Sequence, residues 1–150
     1  MYLICEGPER ARRAARDLAL IGVDAVVGYF DGDALEAWRA RGGRLESYAV
    51  VDWAAAEAAV RDEGAALVDV RGLGEWKAGH VRGARHVHMG YVRQRAPELP
   101  RDRPVLLYCR TGSRSAIAAS VLQAHGVPNV RNVAGGIVER SRLGLDIEVG

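Results

Sequence analysis

A cysteine stands at position 109 between an apolar run and a loop of cationic and small residues, in "PVLLYCRTGSRSAIAASVL". A thiol reacts as its thiolate, so a reactive cysteine needs neighbours that favour the anion. Arg110 and Arg114 bring two guanidinium groups close, and Gly112 lets the backbone curl with its N–H groups pointing inward. The helical pattern "SAIAASVLQAHG" follows the loop directly, and its N-terminus adds roughly half a positive charge. Such a pocket holds an anion and keeps the thiol below its usual range. A cysteine that ends a strand is commonly only a small hydrophobe. Packing alone, however, calls for neither two arginines nor a glycine around the sulfur.

The elements that must position this loop form an internal repeat. "YLICEGPERARRAARDLALIGVDAVVGYFDGDALEAW" and "LYCRTGSRSAIAASVLQAHGVPNVRNVAGGIVERS" align without a gap from Cys5 and Cys109 to Val26 and Val130. Arg10 matches Arg114, Leu18 matches Leu122 and Gly22 matches Gly126; after a one-residue gap, Leu35 matches Val138. Each copy reads as strand, loop, amphipathic helix, Gly-Val turn, strand and helix, the pattern of a parallel α/β sheet. Between the copies, "GAALVDVR" predicts a buried strand, "GLGEWKAGH" a short turn or helix, "GARHVHM" an extended piece and "YVRQRAPELP" a helix ended by proline. The expected organisation is a complete unit over 49–150, preceded by residues 1–48 as a degenerate second half of another such unit.

Composition narrows the function classes. A chain of 150 residues, 49% apolar and 27% charged, can bury a real core. A net charge of +2 gives no reason to expect nucleic acid or an anionic membrane. Asp24 interrupts the best apolar run, so no segment predicts a bilayer span, and "MYLICEGPER" does not read as a signal peptide. The expected location is cytoplasmic. Two distant cysteines make neither a disulfide framework nor a zinc site, and no metal or cofactor is expected.

Four segments together resemble the rhodanese family, in its order and over nearly all of 49–150. "CRTGSR" is similar to the family's six-residue persulfide loop, "VDVRGLGEW" to its Asp-x-Arg strand end and following helix, "GHVRGARHV" to its Gly-His-x-x-Gly-Ala segment, and "NVAGGI" to its closing motif. The resemblance implies a rhodanese-like parallel sheet flanked by helices and a sulfurtransferase. Cys109 would take a sulfane sulfur from thiosulfate or a low-molecular-weight persulfide and pass it to a thiol or cyanide. It also implies roles: Cys109 as nucleophile, with Arg110, Thr111, Gly112, Ser113 and Arg114 supplying the loop amides. Arg110 is expected at the mouth, and Arg114 behind the loop against Asp69. Asp69, Arg71 and His80 are expected to support the geometry, His80 through a ring nitrogen in its turn, and Trp76 to anchor the core.

The chain departs from the family pattern at Arg82 and His88, where proline is usual, and at Ser141, near a usual tryptophan. In the first copy Glu6 and Pro8 damage the cradle, which makes Cys5 a remnant. A degenerate unit before an intact one also resembles the C-terminal part of fusions with a metallo-β-lactamase-type persulfide dioxygenase. Two other classes compete. Phosphatases of the cell-division-cycle type and arsenate reductases share the fold but place five residues between cysteine and arginine, against four here. Non-catalytic rhodanese-like binding modules usually lack the cysteine. Residues 1–48 leave sheet edges open, and either a homodimer through them, with "LICE" and "DAVVGYF" at or near the contact, or packing within one chain is expected to cover them.

Overall fold

The computed structural model describes residues 1–149. Backbone contacts divide the chain into two compact units, Met1–Glu46 and Ser47–Gly150.

The first unit consists of β1 (Tyr2–Ile4), α1 (Gly7–Ala19), β2 (Gly28–Phe30) and α2 (Ala34–Ala40). Its two strands pair in parallel, with Leu3 opposite Tyr29. The second strand of the first copy pairs over only three residues, matching the three of β1. Pro8 opens α1, where a missing N–H costs nothing. Ala11 is the only buried residue among those described in this unit.

The second unit holds β3 (Ala49–Val51), α3 (Trp53–Glu63), β4 (Ala66–Asp69), α4 (Leu73–Ala78), β5 (Arg85–His86), α5 (Val92–Arg95), β6 (Val105–Tyr108), α6 (Ser113–Ala124), β7 (Val130–Val133) and α7 (Gly136–Arg142). The strands form one parallel sheet in the order β3-β7-β6-β4-β5. This is the α/β parallel sheet flanked by helices that the repeat predicts. Every residue of β6 is fully buried, as a central parallel strand covered on both faces must be. Alternation along it splits the core. Val105 and Leu107 pack with Ala118, Ala119 and Leu122 of α6, whereas Leu106 and Tyr108 pack with Trp53, Ala56 and Ile137 from α3 and α7.

Two expectations contract here. Of "GARHVHM", only Arg85–His86 pairs as strand, since His88 turns the chain and its Nδ1 accepts from Gly90 N–H at 3.2 Å. The helix expected over "YVRQRAPELP" is the single turn α5 between two 3-10 turns, because Pro97 lacks the N–H a longer helix needs. Trp76 is not a core anchor. It is half-buried and stacks on His80 at 3.6 Å and on His86 at 5.2 Å, and the indole in the core belongs to Trp53 instead.

Candidate active site

Strand β6 ends at Tyr108, so Cys109 sits at the carboxyl edge of the sheet with flanking strands on both sides. Open parallel sheets bind their ligands at that edge. Residues 109–112 then turn back over the sulfur. Gly112 makes the turn with φ of 109°, in the region only glycine enters freely, and caps the N-terminus of α6.

What turns the loop amides inward is the way its carbonyls are held outward. Ile137 N–H donates to the Cys109 carbonyl at 2.9 Å and Val138 N–H to that of Arg110 at 3.1 Å. The Gly112 carbonyl accepts from the Ser115 hydroxyl at 3.0 Å, Ala116 N–H at 3.0 Å and Asn132 Nδ2 at 3.4 Å. In a planar trans peptide the N–H points opposite the carbonyl, so holding the Cys109 and Arg110 carbonyls in this way turns the N–H groups of Arg110 and Thr111 the other way. Gly112 N–H donates to Cys109 Sγ at 3.1 Å and Ser115 Oγ lies 3.5 Å from it.

The thiol is therefore acidic despite its depth. Burial pushes its pKa up, but the Ser115 hydroxyl and the N–H groups of Ser115, Gly112 and Thr111 outweigh burial and hold it below the ordinary thiol value. Cys109 is 1% exposed. The groups around the sulfur therefore come from Thr111, Gly112 and, past Arg114, Ser115.

The arginines take separate positions. Arg110 is exposed and forms no ion pair among the described residues. Arg114 does not meet Asp69. Its guanidinium grips Glu75 of α4 through two bonds of 2.6 and 2.7 Å, and it also lies close enough to the sulfur to be charged more firmly by it. That grip, together with Gly72 N–H, carries the Glu75 carboxyl down to about 2 against the penalty of burial.

Asp69 is unavailable to Arg114 because Arg71 occupies it, with backbone N–H at 2.8 Å and Nη2 at 2.6 Å. This buried pair sits at the end of β4, beside the Tyr108 ring, and Arg71 also donates to the Gly79 carbonyl at 2.6 Å. Burial, with the Asp69 charge behind it, raises the Tyr108 phenol well above its ordinary value. His80 lies outside the sulfur pocket, with its Nδ1 3.1 Å from the Trp76 carbonyl. Ser113 is exposed at the start of α6.

Two residues that complete the site are absent from the loop motif. Ser115 was visible only as one more hydroxyl in the first turn of α6. Glu75 lies 39 positions from its arginine, and no local spacing points from one to the other. No cluster of three or more metal-ligating side chains occurs among the described residues. None of the described helices is long and apolar enough to cross a membrane.

Proteins of known family are similar to this chain in sequence and in fold. The chain is 40% identical over 81 residues to a protein named sulfurtransferase from Allochromatium vinosum, covering 54% of this chain and 76% of that one. It is 37% identical over 78 residues to the thiosulfate sulfurtransferase GlpE of Pseudomonas entomophila, covering 52% and 72%. For other curated relatives the matched stretch is 57% or 41% of the relative's own length. Among solved structures, the rhodanese-related protein of Thermoplasma volcanium superposes with a TM-score of 0.62 at 24% identity, over 69% of this chain and all of that one, and shares its fold. The family model named rhodanese-like domain matches residues 52–142, which takes in β6, the sulfur loop and α7. With the cradled thiol, the parallel sheet and that match in agreement, the chain belongs to the rhodanese-like domain family.

Proposed function

We propose that the protein is a sulfurtransferase of the thiosulfate sulfurtransferase type that works through a persulfide on Cys109. The thiolate attacks the outer sulfur of thiosulfate, an S–S bond forms, and the old S–S bond breaks with its electron pair leaving on sulfite. A low-molecular-weight persulfide serves in the same way, with its thiolate as leaving group. A thiol or cyanide then attacks the outer sulfur, and Cys109 departs as the thiolate that the loop stabilises. Arg110, exposed and without an ion pair among the described residues, attracts the anionic donor. Arg114 and Glu75 hold the loop, while Asp69, Arg71 and His80 fix the strand ends behind it.

The observation that carries this reading is the 3.1 Å contact from Gly112 N–H to Sγ. The cradle closes on one sulfur atom. A phosphatase or arsenate reductase needs room for a tetrahedral oxyanion, and a binding-only module needs no acidified thiol. The test is intact mass after incubation with thiosulfate or glutathione persulfide. A gain of one sulfur on Cys109, discharged by cyanide, supports the proposal; no gain moves the protein to the binding-module class.

The finer organisation is part of the same proposal. Residues 1–48 act as a degenerate half-unit and 49–150 as the catalytic domain, in the arrangement of the persulfide dioxygenase fusions. The location is cytoplasmic, and two chains pair as a homodimer through the open edges of β1 and β2.

A further inference from the structure

The first unit carries an apolar groove of about 490 Å³, lined by Ile4, Phe30, Ala34, Leu35, Trp38 and Arg41. Ile4, Phe30 and Trp38 are each more than half exposed. Three such side chains converging on one concave face need a cover.

The internal repeat identifies the cover, because the second unit carries the equivalent face with its cover in place. Cys5 matches Cys109, so Ile4 falls on Tyr108. Leu3 pairs with Tyr29 where Leu107 pairs with Asn132, so Phe30 falls on Val133. Leu35 matches Val138, which puts Ala34 on Ile137 and the neighbouring Ala37 on Arg140. All four counterparts lie under α3. Trp53 meets the Tyr108 ring edge-on at 5.5 Å and shares a buried cluster with Val133 and Ile137. The Arg140 guanidinium lies over the Trp53 ring at 4.7 Å and bonds Glu57 at 2.9 Å.

We propose that the groove of the first unit is a docking site for an amphipathic helix of the α3 kind. That helix carries an aromatic residue in its first turn and small apolar residues three and six positions later, as Trp53, Ala56 and Ala59 do. An acidic residue on its flank meets Arg41, replacing the Glu57–Arg140 pair at the end of the groove that Ala37 has lost. The partner is therefore a polypeptide segment of mildly acidic, alanine-rich character. The proposal is independent of sulfur transfer.

The probe is a fluorescent peptide of residues 47–64, SYAVVDWAAAEAAVRDEG, titrated with the full chain. Saturable binding of one peptide per chain is expected. Trp38→Glu in the protein, or Trp53→Ala in the peptide, weakens it at least about tenfold. Arg41→Glu, an exposed change that leaves helix content by circular dichroism intact, weakens it as well. The proposal is overturned by an absence of saturable binding, or by binding that both protein variants leave unchanged. It is also overturned if the full chain self-associates and Trp38→Glu abolishes that association, since the occupant is then a second copy.

Discussion

Cys109 and Cys5 end equivalent strands, yet only Cys109 has carbonyls held away from it and amides turned towards it. Cys109→Ser is expected to reduce thiosulfate:cyanide sulfur transfer to background, a loss of at least about a thousandfold, with the fold intact. Cys5→Ser is expected to leave it within about twofold, in line with surface changes away from a site. Equal losses in the two variants, measured as thiocyanate release, would refute the assignment. Ser115→Ala removes one donor to the thiolate, so the midpoint of alkylation against pH moves up, and alkylation at neutral pH slows about three- to tenfold. An unmoved midpoint would remove Ser115 from the cradle. Glu75 makes a separate pH prediction. Its folded pKa of about 2 lies below its ordinary 4.5, so the stability it contributes is complete above about pH 4.5 and is lost as pH falls towards 2. Glu75→Gln should unfold more readily than the parent at neutral pH, and the gap should close over that window in acid denaturation curves. Cys109, Arg110 and Gly112 were legible because the requirements of a thiolate are written into six consecutive residues. Glu75 was not, since its bond to Arg114 depends on where the sheet order brings α4. The same fact misdirected Arg114 to Asp69, which a nearer cation, Arg71, already held.

Among the elements, α7 does more than cover the sheet, because its first N–H groups hold the Cys109 and Arg110 carbonyls. That approach leaves no room for a side chain at Gly136, where φ is +53° and a Cβ would lie 2.4 Å from the Cys109 carbonyl oxygen. Gly136→Ala is expected to cost about 2–3 kcal/mol of stability by overpacking and backbone strain, and to impair sulfur transfer by pushing the loop out. Urea denaturation and thiocyanate release measure the two effects. A stable and fully active variant would mean that the loop holds its own shape. Inserting one glycine between Gly112 and Ser113 should widen the cradle and weaken the persulfide, read as a shorter lifetime of the mass-shifted species. The strand-loop-helix order of both copies was legible from apolar periodicity and from the paired Gly-Val turns at 22 and 126. The short elements after β4 were not. His88 and Pro97 break the backbone pattern there, and the patterns of "GARHVHM" and "YVRQRAPELP" extend beyond those breaks.

For the whole molecule, a chain beginning at Ser47 is expected to be soluble and to keep full sulfur-transfer activity, since every residue placed at the site lies after that point. Loss of activity on such shortening would put part of the site in the first unit. Light scattering on the full chain tests the homodimer, with a monomer at micromolar concentration counting against strand-edge pairing. The depth of Cys109 carries a consequence for traffic through the site. Cys109 is 1% exposed beneath its loop, so what reaches it is selected by width before it is selected by chemistry. Reagents of equal intrinsic reactivity should then label it in order of girth, slender iodoacetamide ahead of a bulky maleimide dye. If the proposed persulfide forms, an acceptor cysteine on a thin, mobile arm should discharge it faster than one set in a flat surface.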